Sequence, residues 1–263
     1  MTENHSMSIV IKDVTKWYRS KEGPVHALAE TSLDIGEGEF VSIVGPSGCG
    51  KTTLLMIVGG LVLPSAGTIS IDGRSVTSPY TNLGIMFQRP VLLDWRTVLD
   101  NVLVQLELRN ISRASYVDRA VALLAQMGLA GFERRHPHEL SGGMQQRVAL
   151  CRSLIHDPPI LLMDEPFAAL DALTRDQLAL DLQELWAKTR KTVLFVTHSI
   201  TEALFLSDKV VVFTPRPGTI DEIIKVDLPR PRRLAMRKLP AFIGFARHIE
   251  ELFLKCGVLH ERA

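Results

Sequence analysis

Apolar and polar positions divide the chain into thirds. In the first third, Ile9-Val10-Ile11 is β-branched, Thr31 to Ile35 alternates ahead of the turn Gly36-Glu37-Gly38, and Phe40 to Val44 (FVSIV) is almost wholly apolar. Thr68 to Ile71 alternates again before Asp72-Gly73, a pair that favours a hairpin or loop. This pattern predicts antiparallel strands around one buried central strand. In the middle third the period becomes helical. Thr97 to Arg109 is amphipathic, and Tyr116 to Met127 carries Val117, Val121, Leu124 and Met127 at helical spacing, with Gly128 as a C-terminal cap. A third helix is expected over Gln145 to His156, with Met144, Val148, Cys151 and Ile155 as its buried stripe. No stretch here reads as a strand, so residues from about 89 to 157 are expected to form a helical subdomain.

The last third returns to apolar runs at Ile160–Met163, Thr192–Val196 and Val210–Phe213, with a helical stretch at Asp176–Lys188. Strands alternating with helices predict a parallel sheet with ligands at its carboxyl end. Polar residues cluster at those ends, as Asp164-Glu165 and Thr197-His198. From Pro240 onward, Phe242, Phe245, Ile249, Leu252 and Phe253 share one helical face. Residues 8–240 are therefore expected to form the main domain and 241–263 a helical tail packed on it. Arg230, Arg232, Arg233, Arg237 and Lys238 read as a solvated linker, with lipid headgroups as the alternative contact. Met1 to Ser6 read as a loose polar tail, with Met1 or Met7 as the start.

Composition narrows the function classes. The 263 residues are 46% hydrophobic and 22% charged, with a net charge of +1. A substantial core is expected, and a broad nucleic-acid-binding surface is not. The three cysteines, Cys49, Cys151 and Cys256, are far apart and lack a C-x-x-C pair. That spacing argues against a disulfide framework or a zinc site and for a reducing compartment. No apolar run approaches the ~18 residues of a membrane span.

Three motifs carry chemistry. Gly45-Pro46-Ser47-Gly48-Cys49-Gly50-Lys51-Thr52 matches G-x-x-x-x-G-K-[ST], between strand FVSIV and the helical run that includes Thr53. Backbone amides of such a loop point at phosphates, the helix dipole adds positive potential, Lys51 adds a full charge, and the Thr52 hydroxyl can ligate Mg²⁺. The Cys49 thiol is expected to face solvent here, open to a maleimide and protected by ATP. Second, Ile160 to Met163 runs into Asp164, placed for the Mg²⁺ shell, and Glu165, placed as the base that polarises water. Third, Leu140-Ser141-Gly142-Gly143-Met144-Gln145-Gln146-Arg147 opens a helix, with Ser141 as N-cap and glycines that leave the first amides uncovered.

Leu140 to Arg147 resembles the signature of the ABC transporter ATPases, and the resemblance extends over most of the chain. It implies a P-loop NTPase (RecA-like) core with a parallel sheet, an N-terminal antiparallel β subdomain and an inserted α-helical subdomain. Tyr18 matches the aromatic that stacks on adenine, Gln88 the glutamine that touches Mg²⁺ and faces the permease, Phe167 to Asp171 the D-loop, and His198 the switch histidine at the γ-phosphate. The resemblance implies ATP and Mg²⁺ as ligands, with Thr52, Gln88 and Asp164 at the metal and Lys51, Glu165 and His198 in hydrolysis. It also implies a head-to-tail pair of subunits, in which Leu140, Ser141, Gly142, Gly143 and Gln145 of one meet the ATP of the other.

Leu92 to Val102 (LLDWRTVLDNV), Arg216 to Ile220 and Leu228 to Arg232 resemble importers for nitrate, sulfonates and taurine. Asp94 stands where a proline is usual, Ala168 where a glycine is, and Ser199 where an aspartate follows the histidine. An importer ATPase is expected, bound peripherally to a permease at the cytoplasmic face of the inner membrane and served indirectly by a solute-binding protein. An exporter ATPase and a non-transport ABC ATPase are the alternatives. The 89 positions from Thr52 to Ser141 carry no sustained heptads, unlike the coiled-coil ABC proteins of DNA repair. Trp95 reads as a permease contact or as core of the helical subdomain.

Overall fold

The computed structural model describes residues 7–21 and 23–258; the tail expected at Met1 to Ser6 and the last residues of the expected C-terminal tail lie outside these. The chain forms two compact units: one holds the segment ending at Thr81 together with the segment from Trp186 onward, the other spans Asn82–Leu185.

In the first unit, β1 (Met7–Ser20) and β2 (Gly23–Gly36) are much longer than the runs that announced them. They pair antiparallel, with Ile11 opposite Leu33 and Tyr18 opposite Val25. β4 (Ala66–Ile71) adds to the other edge of β1, and Asp72-Gly73 turns it into β5 (Arg74–Ser75). Both turn residues have positive φ, 49° and 74°, as a two-residue hairpin turn requires. Alternate residues Ile9, Ile11, Leu33, Ile35, Ile69 and Ile71 are buried, which is the period-2 pattern of a one-sided sheet.

The second sheet of this unit centres on β3 (Phe40–Val44). It lies parallel to β8 (Thr192–Thr197) on one side and to β9 (Lys209–Phe213) on the other. All residues of β3 and β8 are buried, so both read as near-continuous apolar runs. β10 (Ile220–Lys225) pairs antiparallel with β9. The apolar pattern predicts no strand here, because the sequence IDEIIK shows only a weak alternation. Helix α1 (Lys51–Val58) follows β3, and α6 (Ile200–Leu206) follows β8. Helix α7 (Pro240–Lys255) buries Phe242, Ile249, Leu252 and Phe253 and packs against α6.

The basic cluster is not uniformly solvated: Arg233 and Lys238 are exposed as expected of a linker, Arg230 and Arg237 are half-buried, and Arg232 is internal. Arg232 is 2% exposed and donates to the carbonyls of Leu204 (2.8 Å), Ser207 (2.7 Å), Val226 (3.3 Å) and Leu228 (3.4 Å). Burial and the nearby Arg230 charge bring its pKa down to about 10, so it stays a cation at neutral pH. Arg230 bonds Asp208 and the Leu206 carbonyl, its guanidinium 4.1 Å from the Trp186 ring centroid. The strap after β10 thus caps the C-terminal carbonyls of α6, which would otherwise lack partners. Arg232→Met should lower unfolding free energy by about 3 kcal/mol, as expected when a buried charged donor is removed from several acceptors. Urea denaturation of the full chain measures this; a loss under about 0.5 kcal/mol, typical of surface sites, would contradict the capping role.

In the second unit, β6 (Leu83–Met86) pairs parallel with β7 (Ile160–Asp164). The four-residue run LGIM was too short to stand out as a strand. Helices α2 (Val98–Leu108), α3 (Val117–Gln126) and α4 (Gly142–Leu154) fall close to the predicted spans. Helix α5 (Ala172–Thr189) begins in this unit. Helix α3 buries Leu124, followed by a buried Met127, as expected, with Val117 half-buried; Ala120 takes the inner position expected of Val121, which is 38% exposed. Helix α4 buries Val148, Cys151 and Ile155 as expected, with Met144 half-buried. It lies so close to β6 that a Cβ on Gly84 would meet the Ser153 carbonyl at 2.4 Å.

Candidate functional site

The phosphate loop follows directly from β3. Gly48 and Gly50 sit at φ 76° and 104°, in the left-handed region that side chains disfavour. Gly50 has a second constraint, since a Cβ there would lie 2.6 Å from the Ala27 carbonyl. Gly50 is also the N-cap of α1, so the first-turn amides of that helix, from Lys51 to Thr53, open toward the loop. The Lys51 side chain is 4% exposed and folds back over the loop, donating to the carbonyls of Gly45 (2.8 Å) and Pro46 (2.9 Å). Ser47, Gly48 and Thr52 are exposed at the rim.

Cys49 departs from expectation. It is 1% exposed, with its sulfur 3.1 Å from where a Gly45 Cβ would stand. Its carbonyl lies 1.8 Å from the position of a Cβ on Gly218, in the β9–β10 loop. With left-handed glycines on both sides, its side chain turns into the protein, and the thiol is already shielded without a nucleotide. The expected maleimide reaction does not follow.

Tyr18 on β1 is 36% exposed, with its hydroxyl 3.5 Å from Thr53 Oγ1 at the start of α1. Lys16 Nζ lies 5.0 Å from the Tyr18 ring centroid. The same unit brings His198 to the loop's end of the sheet. β8 runs parallel to β3 with Thr197 opposite Val44, so His198 leaves its strand where Gly45 leaves the neighbouring one, and its side chain is exposed. Thr197 is fixed by a hydroxyl bond to Glu202 (2.5 Å), and Ser199 caps α6 by accepting from the Glu202 amide (3.3 Å). Serine therefore does the capping that an aspartate would do at this position.

The second unit carries the acidic pair. Asp164, 7% exposed, ends β7, and Glu165 follows at φ 44°. Because Met86 and Met163 are paired, Gln88 and Glu165 leave adjacent strands at one end, and Gln88 Nε2 is 3.5 Å from Glu165 Oε2. Ser141 is the N-cap of α4, accepting from the Met144 amide at 3.3 Å. Ser141 and Gly142 are exposed; Gly143 is buried, and a Cβ there would stand 2.5 Å from Thr174 Cγ2. The Gln145 amide donates to the carbonyls of Pro137 (2.9 Å) and Leu140 (3.4 Å), holding Leu140 and the turn into the helix. Asp171 accepts from the Thr174 hydroxyl (2.6 Å) and from the Leu173 and Thr174 amides, and these bonds hold its carboxyl below the ordinary range.

The loop after Gln88 is built from within. Asn101 is fully buried; its carbonyl accepts from the Leu93 amide (2.7 Å) and its NH₂ donates to the carbonyls of Leu93, Arg96 and Thr97. That bracket holds out Trp95, which is 76% exposed, while Val91 in the same loop is 60% exposed. Trp95 is therefore not core of its unit. Periodicity could not have found Asn101, Gln146 or Arg152: each is a polar side chain that serves backbone carbonyls, and nothing in the spacing marks that.

A phosphate loop between a buried parallel strand and a helix, with an acidic pair ending another parallel strand, defines a P-loop ATPase. A family profile described as ABC transporter matches residues 28–168. An ABC transporter ATP-binding protein of Methanocaldococcus jannaschii is 50% identical over 86% of this chain and 85% of its own length. The taurine import ATP-binding protein of Rhizobium johnstonii is 47% identical, with coverage of 87% and 88%. The aliphatic sulfonates import ATP-binding protein of Bacillus cereus is 42% identical, with coverage of 86% and 89%. A dimeric ATP-binding cassette in a post-hydrolysis state, bound to ADP and Pi, superposes with a TM-score of 0.75 at 35% identity, covering 84% of this chain and all of that one. The chain belongs to the ABC transporter family, as an ATP-binding subunit that hydrolyses ATP.

Proposed function

We propose that this ATPase energises an importer for taurine, a sulfonate, nitrate or a similar small solute. The observation that carries the reading is the exposed loop from Gln88 to Trp95. A large aromatic is held out to solvent by a fully satisfied buried asparagine, and an exposed aromatic on a rigid mount is the usual form of an interface anchor. Among the described residues no helix is long and apolar enough to cross a membrane, and the reading assigns the membrane-spanning path to a permease. The names of the taurine and sulfonate relatives support import as the direction.

In this reading Tyr18 stacks on adenine, and the loop from Gly45 to Thr53 binds the phosphates. Lys51 neutralises charge at the β- and γ-phosphates. Hydroxyl, amide and carboxylate oxygens of Thr52, Gln88 and Asp164 form a hard donor set suited to Mg²⁺, which when bound offsets phosphate charge. Glu165 takes the proton of the attacking water, and His198 contacts the γ-phosphate. A second copy completes each site, with Leu140, Ser141, Gly142, Gly143 and Gln145 of one subunit against the ATP of the other and Asp171 at the subunit junction. Binding closes the pair and hydrolysis reopens it. The helical segment of about 89–157 passes the motion to the permease at the cytoplasmic face of the inner membrane, and a solute-binding protein delivers cargo from the other side.

The test is ATP-driven uptake of taurine, an alkanesulfonate or nitrate by proteoliposomes holding this chain and the permease encoded beside it. Uptake should be present with the native chain. With Trp95→Ala it should fall about 30-fold, as loss of a contact worth ~2 kcal/mol implies, while ATP binding and the melting temperature of the subunit stay unchanged. Absence of uptake of all three solutes overturns the importer reading. Unchanged uptake with Trp95→Ala removes Trp95 from the interface.

A further inference from the structure

Helix α4 begins at the signature, and its side chains grip the loop that follows β6. Gln146 is 1% exposed and donates from Nε2 to the Gln88 carbonyl at 2.8 Å. Its Oε1 is buried without a hydrogen-bond partner, a cost of about 1–3 kcal/mol for a polar atom. A glutamine kept at that cost is kept for its donor. One and a half turns further on, Arg152 donates to the carbonyls of Pro90 (2.5 Å) and Val91 (2.7 Å). Burial draws the pKa of this guanidinium below its ordinary value, and among the described residues no carboxylate pairs with it. Its charge is therefore spent on two backbone carbonyls.

The gripped backbone is strained. Val91 has φ 47°, a conformation that a β-branched residue adopts only when its surroundings enforce it. The bond to the Val91 carbonyl is such an enforcement. The far side of the loop reaches the acidic pair, with Gln88 Nε2 3.5 Å from Glu165 Oε2.

We infer that Gln146 and Arg152 are positioning residues that clamp the backbone of residues 88–91 to α4, so that the signature helix, the Gln88 loop and the base of the Trp95 loop move as one piece with Gln88 set against Glu165. The inference rests on the assignment of Gln88 and Glu165 given under Proposed function. It joins two ends of the second unit. A displacement of Ser141 and Gly142 at one end of α4 becomes a displacement of Gln88, and a push on Trp95 reaches Glu165 by the same path. Neither Gln146 nor Arg152 touches nucleotide in this scheme; both act through Gln88.

The experiment uses the full chain, with steady-state phosphate release and binding of a fluorescent ATP analogue. Gln146→Met keeps the volume and removes the donor. Arg152→Met removes the grip on residues 90 and 91, and Arg152→Lys keeps the charge and one donor point. Both Met variants should lose about 10–100-fold in kcat, the cost of a small misplacement of catalytic groups, with KM and analogue affinity within about twofold of the native chain. Arg152→Lys should recover part of the loss. Gln146→Met combined with Gln88→Ala should be no slower than the worse single variant, because Gln146 works through Gln88. Should Gln146→Met fail to fold, Arg152→Lys against Arg152→Met and the Arg152→Met/Gln88→Ala pair carry the same decision.

Native kcat in folded variants overturns the clamp. So does a loss confined to KM, or one that multiplies with that of Gln88→Ala. If Glu165→Gln hydrolyses ATP at the native rate, the underlying assignment fails instead. An inactive Glu165→Gln beside a fully active Gln146→Met removes the clamp alone.

Discussion

Lys51→Ala should reduce ATP hydrolysis by about 10²–10³-fold, the range seen when a preorganised electrostatic partner is removed from a transition state. The ammonium is buried over the loop mouth and already bonded to the Gly45 and Pro46 carbonyls. It therefore reaches the phosphates by exchanging two carbonyl contacts for a charge-assisted one, without travelling from bulk water. Alanine removes the charge and also leaves the two carbonyls to find other partners, so nucleotide affinity should fall as well. Phosphate release and fluorescent-analogue binding measure the two losses, and a circular dichroism spectrum like that of the native chain separates them from unfolding. Turnover near the native rate would overturn the assignment of residues 45–52 as the phosphate loop.

Glu165→Gln should act on hydrolysis alone. Loss of a positioned general base costs about 10²–10⁴-fold, or roughly 3–5 kcal/mol of barrier. The carboxylate sits at the end of β7 on a residue with φ 44°, beside Gln88, and glutamine preserves its shape. ATP affinity should stay within about twofold of the native value, since shape and backbone are kept and only the basic oxygen is lost. The variant should accumulate as an ATP-bound pair of subunits on size-exclusion chromatography. A monomeric elution with bound ATP would count against the head-to-tail pairing, and native turnover would remove Glu165 as the base.

The parts of this chain that were legible beforehand are those with a strong local signal. Buried parallel strands announce themselves as apolar runs, and β3, β7 and β8 lie where such runs fall. Phosphate loops and capped helices have spacings dictated by backbone geometry, so Gly48, Gly50 and Ser141 could be placed before any fold was known. What stayed hidden depends on distant partners. β10 is a strand because β9 offers it an edge. Arg232 is internal because the carbonyls of α6 lie beside it. Cys49 points inward because left-handed glycines steer it, and a loop of that kind has no period from which to infer direction. Helix α3 shows the same limit at one position, where Ala120 rather than Val121 turns inward beside α2 and α4.

The thiols settle how this protein can be made visible. Cys49 is enclosed by the glycine loop, and Cys151 lies wholly inside α4, where burial pushes its pKa up to about 12. Cys256, at the end of α7, is half-buried, and burial together with the Asp221 carboxylate raises its pKa. Only the last of these offers a reagent any access. A fluorophore or spin label applied to the native chain at mildly alkaline pH would therefore report from a single place, far along the chain from every catalytic group, with no need to strip cysteines by mutation. A second reporter cysteine engineered at Trp95 or Ser47 could then be read against that fixed one in distance measurements between the two states of the motor.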